Sequence, residues 1–200
     1  MRIQLSPRAR PIILFDQDLR CYYLQLPERQ FKFEVSQSVA HIVAQQYYGY
    51  RPRNSCRLLY ASPKTIVIRR NGMAFKRDAR TKQWRTLKLI PGNRLDLLSL
   101  VGLSRAKLRK LLTDLRKQIL RLHATRAYHG DIHPGNILYD RKTANVNLID
   151  RLCKGEALSG APGFRPRGRR PRTLKGLQRR DLFALSRVEE FVERRLARVL

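Results

Sequence analysis

Residues His129-Gly130-Asp131-Ile132-His133-Pro134-Gly135-Asn136 gather two imidazoles, a carboxylate and a carboxamide on one short stretch, and Asp150 follows at the end of Val146-Asn147-Leu148-Ile149. Transfer of a phosphoryl group from ATP to a hydroxyl needs this set of functions. A carboxylate must orient the attacking hydroxyl and accept its proton, and oxygen ligands must hold Mg²⁺ against the phosphates, because the transition state is governed by positioning and charge. Asp131 is suited to be the base. Asn136 offers a carbonyl oxygen to one metal, and Asp150 supplies an anionic ligand. The alternation His129, Asp131, His133 is also a spacing that Zn²⁺ or a hydrolase metal could use, but that reading leaves Pro134-Gly135-Asn136 and Asp150 without a role. His129 is read as a support for the loop more than as a proton carrier.

The elements around these residues must bring them together. Asn136–Asp150 reads as a hairpin turning at 140–144, which would fold Asp150 back beside Asn136. Upstream, Ser104 caps a helix whose Leu108, Leu111, Leu112, Leu115, Ile119 and Leu122 make an apolar stripe, and Leu95–Leu103 reads as a shorter helical piece. Pro91-Gly92 breaks the chain sharply. Before that break, residues 11–26 read as two strands joined at Asp16-Gln17-Asp18. Pro27-Glu28 then opens a helix over 28–47, with Phe31, Val35, Val39, Ile42 and Tyr47 at helical spacing. Arg57–Ala61 and Thr65–Arg70 are strands, followed by a basic loop and a strand over Trp84–Ile90. His41 is expected at the surface or in packing, and Trp84 in the core or between lobes. A last amphipathic helix spans 181–199.

The segment HGDIHPGN…LID resembles the catalytic loop and metal-binding segment of the protein-kinase-like superfamily, closest to the aminoglycoside phosphotransferase, choline kinase-like and atypical fungal or bacterial kinase branch. His133 stands where typical protein kinases carry Lys, as is common in that branch, and Ile90-Pro91-Gly92 is similar to its hinge, with Lys88 in place of the usual acid. The resemblance covers about 12–151 and implies an α+β bilobal protein-kinase-like fold. It places a small antiparallel-sheet lobe at 1–89, a hinge at 90–92 and a mainly helical, shortened lobe at 93–200. The implied activity is ATP-dependent phosphotransfer to a protein or small-molecule hydroxyl, with ATP and Mg²⁺ as cofactors, Asp131 as base, Asn136 and Asp150 as metal ligands, and Leu89 beside the nucleotide.

The sequence also departs from that pattern. No glycine precedes Gly49, so a glycine-rich phosphate-covering loop is missing. The expected Lys–Glu ion pair is incomplete in either of two registers. In the preferred one Glu34 lies on the first helix and Gln25 stands at the strand-lysine position. In the other, Lys32 is that lysine, and the helix Val35–Tyr47 has no glutamate. Arg151 and Leu152 follow Asp150, and a neighbouring arginine weakens metal binding. A catalytically degenerate, partner-binding kinase-like protein is therefore an alternative, as is a basic nucleic-acid-binding protein.

Composition sets the outer bounds. The 200 residues carry 43 Lys+Arg against 15 Asp+Glu, a net charge of +28, and 42% are hydrophobic. That apolar share supports a packed core and excludes wholesale disorder, while the charge points to polyanionic partners. Cys21, Cys56 and Cys153 are odd in number and widely spaced, which suggests neither a disulfide framework nor a metal knuckle and fits a reducing compartment. No secretory signal is read at the N-terminus, and no apolar run nears the roughly 20 residues of a membrane span. A cytoplasmic location follows, or a nuclear one if RPRGRRPR acts as a localisation signal. The basic stretch 154–180 reads as a flexible solvated loop. Its arginines at 165–180 are a candidate contact for nucleic acid or for an acidic partner, with Phe164 the one ring nearby.

Overall fold

The computed structural model describes residues 5, 9–26, 32–51, 53, 55–78, 81–98, 103–151, 163–164, 166 and 171–197. The chain is α+β and divides into two compact units, Met1–Leu89 and Ile90–Leu200. Among the described residues no helix is long and apolar enough to cross a membrane, and the thiols of Cys21 and Cys56 are free.

The first unit is built on strands β1 (Ile12–Phe15), β2 (Tyr22–Gln25), β3 (Lys32–Val35), β4 (Cys56–Ala61), β5 (Thr65–Arg70), β6 (Met73–Asp78) and β7 (Trp84–Leu87), with helix α1 (Gln37–Tyr48) between β3 and β4. They form one antiparallel sheet in the order β3-β2-β1-β4-β5-β6-β7. Helix α1 lays Ala40, Val43 and Ala44 over Ile13, Phe15, Tyr22, Leu24, Leu58 and Ala61. A β-bulge between Leu58 and Tyr60 makes this possible. Side chains alternate faces along a strand, so Leu58 and Ala61 share the buried face only because one extra residue is inserted between them.

The helix expected over 28–47 is shorter than its apolar spacing implied. Lys32–Val35 pairs with β2 as a strand, and α1 starts only after Ser36, whose hydroxyl accepts the Val39 N–H at 3.3 Å. Phe31, Val35 and Val39 satisfy a helical period across a strand–helix junction, and the backbone pairing wins. Gly49 ends α1 at φ 59°, returning N–H groups to the carbonyls of Ala44 and Gln45. Pro27, Glu28 and Phe31 lie outside the described residues.

The basic loop expected after β5 contains β6. Asn71 and Gly72 turn the chain at φ 48° and 78°, the two-residue turn whose twist suits an antiparallel hairpin. Trp84, expected in the core, is 43% exposed on the edge strand β7.

The second unit has a small antiparallel sheet of β8 (Asn93–Arg94), β9 (Ile137–Asp140) and β10 (Asn145–Leu148), in the order β10-β9-β8, with helices α2 (Arg105–Ala124) and α3 (Leu174–Leu196). Ser104 caps α2 and Thr173 caps α3. Leu108, Leu111, Leu115 and Ile119 of α2 meet Ala184, Leu185, Val188 and Val192 of α3 in one core with Ile132, Ile137 and Tyr139. Helix α3 begins seven residues before the expected 181, so 174–180 is helical rather than loop. Leu95–Leu97 form a turn where a short helix was expected. Residues 99–102, 152–162 and 198–200, with Cys153 and most of the 154–170 stretch, lie outside the described residues.

Candidate active site

Pro134–Asn136 form one 3₁₀ turn between the buried segment 129–132 and β9. Pro134 suits its first position, since a proline lacks the N–H that would find no partner there. Asn136 then ties the loop together: its side-chain N–H₂ donates to the Asp131 carbonyl at 2.9 Å and to Asp131 Oδ2 at 3.2 Å. With its nitrogen so used, Asn136 keeps its carbonyl oxygen for other work. The other Asp131 oxygen, Oδ1, is buried and has no hydrogen-bond partner.

The β9–β10 hairpin carries the chain back as its sequence implied. Leu148 pairs with Ile137, and the Ile149 N–H donates to the Asn136 carbonyl at 2.9 Å. Asp150 therefore leaves the hairpin beside the 3₁₀ turn, exposed and with φ 55°. A positive φ is uncommon outside glycine, and Asp tolerates it better than most residues.

The two histidines are held by backbone groups. His129 Nε2 lies 3.0 Å from the Ile149 carbonyl and so must donate to it, while Nδ1 accepts the Asp131 N–H at 3.3 Å. Burial pushes the His129 pKa down, against the opposing pull of Asp181 and the Ile149 carbonyl. A neutral ring with its proton on Nε2 satisfies both contacts, and leaves neither nitrogen for shuttling protons. His133 Nδ1 accepts the Gly135 N–H at 3.1 Å, and its Nε2 stands 3.8 Å from Asp131 Oδ2, beyond hydrogen-bond reach. Burial lowers its pKa as well, opposed first by Asp131.

Three residues that the motif did not single out complete the site. Asp181 on α3 is 1% exposed. Its Oδ2 accepts the His129 N–H at 2.7 Å and lies 3.1 Å from His123 Nε2, and its Oδ1 accepts the Gly130 N–H at 2.9 Å. The signal for it was present: Asp181 shares the spacing of Ala184, Leu185, Val188 and Val192, so it is an acid in register with an apolar stripe. Arg94 forms a two-pronged ion pair with Asp96, both contacts at 3.0 Å. It packs so closely on the loop that a Cβ at Gly135 would collide with its guanidinium.

The expected site residues therefore fall into two sets, one in each unit. His129, Asp131, Asn136 and Asp150 are brought together in the second. Gln25, Lys32 and Glu34 are neighbours in the first, with Gln25 opposite Lys32 and Glu34 opposite Tyr23, all on one sheet face. Glu34 is on strand β3, not on the first helix, which overturns the preferred register. Helix α1 carries no acid. Leu89 is the last residue of the first unit and half-buried. Among the described residues no three His, Cys, Asp or Glu side chains are grouped to hold a metal by themselves. No family model matches the chain, and no curated protein or solved structure is significantly similar to it.

Proposed function

We propose that the chain is an ATP-dependent phosphotransferase of protein-kinase-like architecture, with Met1–Leu89 and Ile90–Leu200 as its two lobes and Asp131 as the base. The observation that carries this reading is the state of the Asp131 carboxylate. Asn136 orients one oxygen, the other is buried without a donor, and the loop is tied down just before Asp131 by Asp181, which accepts the His129 and Gly130 N–H groups. An acceptor oxygen held still with no proton donor of its own is what an incoming hydroxyl needs.

The donor set also suits Mg²⁺. Asn136 Oδ1 and the Asp150 carboxylate are hard oxygen ligands on adjacent backbone, and Mg²⁺ commonly takes one or two protein ligands and completes its shell with water and phosphate oxygens. When bound, the ion would neutralise charge developing on the phosphates.

One observation favours a non-catalytic protein instead. The β1–β2 turn, where nucleotide phosphates would need free backbone N–H groups, spends the Asp18 and Leu19 N–H groups on the buried Asp16 side chain at 2.9 and 3.0 Å. Carboxylates at this turn repel phosphate. Thermal unfolding with excess Mg·ATP separates the two. Ligand at 100 times its dissociation constant adds about 2.7 kcal/mol, a rise of roughly 5–11 °C for a chain of this size. A rise lost in Asp150→Ala supports the phosphotransferase. No rise at millimolar Mg·ATP refutes it and leaves a kinase-shaped binding protein.

A further inference from the structure

Beyond the end of α1, the sheet face that the helix covers elsewhere is left to arginines and aromatic rings. Register puts them there. Cys56 pairs with Arg70, Ile68 with Phe75, Ile66 with Arg77, and Arg77 with Trp84, so Arg70, Phe75, Arg77 and Trp84 all point to the same side. The chain leaving α1 adds Tyr50, Arg51 and Arg53 and closes a cavity of about 360 Å³. Tyr50 and Trp84 pack against each other in its wall as a tilted ring pair, centres 6.0 Å apart at 58°, and the Arg77 guanidinium lies 6.0 Å from the Trp84 ring. Burial raises the Tyr50 pKa, and the nearby Arg53 and Arg77 pull it back.

A second cavity of about 480 Å³ adjoins the first and shares Arg77 with it. Tyr47, Tyr48, Arg10 and Lys82 line it. Among the described residues no carboxylate lines either cavity.

We propose that this face of the first unit binds single-stranded nucleic acid, with a base stacking on the exposed Trp84 ring, which the buried Tyr50 backs, and phosphates held by Arg51, Arg53, Arg70 and Arg77. Basic grooves interleaved with aromatic rings are how proteins hold unpaired strands, because every base has a flat face and every linkage a charge. Two cavities strung on one arginine suit a repeating ligand, whereas a mononucleotide would fill only one. An acidic peptide would answer the charge but give the rings no planar partner. The proposal draws on no residue of the Asp131 loop and stands whether or not the chain transfers phosphate.

Trp84 is the only tryptophan, so emission excited at wavelengths beyond tyrosine absorption reports from this site alone. The full chain is titrated with a fluorescein-labelled oligothymidylate, following anisotropy, and with the unlabelled strand, following tryptophan emission. Binding should quench Trp84. Trp84→Ala should weaken binding about 5- to 150-fold, the range for losing one stacked base, and Trp84→Phe should restore most of it. The double variant Arg70→Gln/Arg77→Gln should reduce the slope of log affinity against log salt by about 1.4, at roughly 0.7 per lost phosphate contact on a single strand.

Trp84→Ala also removes the ring pair with Tyr50 and should lower the melting temperature slightly, so Trp84→Phe, which keeps a ring there, guards against a folding artefact. Strand binding without quenching, or with Trp84→Ala within twofold of wild type, would place the strand elsewhere and overturn the proposal. ATP that alone saturates the quench and fully displaces the strand would make the site a mononucleotide pocket. A phosphopeptide that quenches Trp84 and outcompetes the strand would make the partner a protein. Either result overturns it too.

Discussion

Replacing Asp181 by asparagine tests whether the loop geometry depends on a side chain fifty residues away in sequence. The carboxylate is 1% exposed and accepts two buried backbone N–H groups, one on each oxygen. Asparagine keeps the shape but has one acceptor oxygen, so its amide nitrogen must face either the His129 or the Gly130 N–H, donor against donor. Losing one charge-assisted bond and stranding a buried donor costs about 2–4 kcal/mol. A chain of this length loses roughly 2–4 °C per kcal/mol, so the midpoint should fall by about 4–16 °C. Alanine would strand both donors and the His123 contact, a loss that approaches the whole stability of an ordinary domain, which makes asparagine the better probe. Thermal and urea unfolding give the size of the effect, and hydrogen exchange at the His129 and Gly130 amides gives its location. An unchanged midpoint with unchanged protection of both amides would refute the reasoning.

Gly92→Ala should cost more than about 3 kcal/mol, read by urea unfolding, because φ is 116° and the new Cβ would lie 2.8 and 2.9 Å from the backbone of Tyr139 and Asp140, which has no side-chain slack to give. Arg195→Ala should cost about 2–3 kcal/mol in the same assay: the guanidinium donates to the Leu95 and Leu98 carbonyls at 2.9 and 2.8 Å, and both would lose their partner. Stability should also fall as pH drops below about 6.5. The folded His129 resists protonation because it is buried, while the unfolded chain takes the proton near the ordinary 6.5, so its contribution is whole above that value and is lost as pH falls toward the lowered folded value. Melting temperature against pH should show this fall, and His129→Gln should make it shallower, with the burial-lowered His133 and His41 accounting for the remainder.

What the sequence made readable was local. Asp131, Asn136 and Asp150 sit on a short turn and a tight hairpin, and neighbours along the chain determine both, so the motif and the fold-back could be placed before any tertiary contact was known. Asn71-Gly72 was equally local and gave a strong turn signal, yet a run of arginines around it read as loop and hid β6. The strand–helix junction at Ser36 was ambiguous in kind: Lys32-Phe33-Glu34-Val35 fits period two and a helical stripe alike, and only pairing with Tyr22–Gln25 decides between them. Asp181 could be read as an acid in register with an apolar stripe, but its task was out of reach for a different reason. Its partners are two backbone N–H groups on another element, and backbone groups leave no mark in a sequence. The terminal helix was visible in its apolar stripe, but not what its one buried acid was for.

The clamp from α3 to the loop has a consequence for how the chain between them is free to change. Asp150 closes one end of the stretch and Asp181 the other, and both ends are fixed by contacts that do not involve the residues between Arg151 and Thr173. Lengthening the chain between two fixed ends costs free energy only with the logarithm of its length, about 0.6 kcal/mol for each doubling. Apart from Gly163 and Phe164, which contact Arg187 and Phe191 of α3, insertions, deletions or a wholesale change of charge in that stretch should therefore leave the Asp131 loop as it is. The site and the arginine-rich connection can drift independently under mutation, because the oxygens that hold the site belong to α3 and not to the connection.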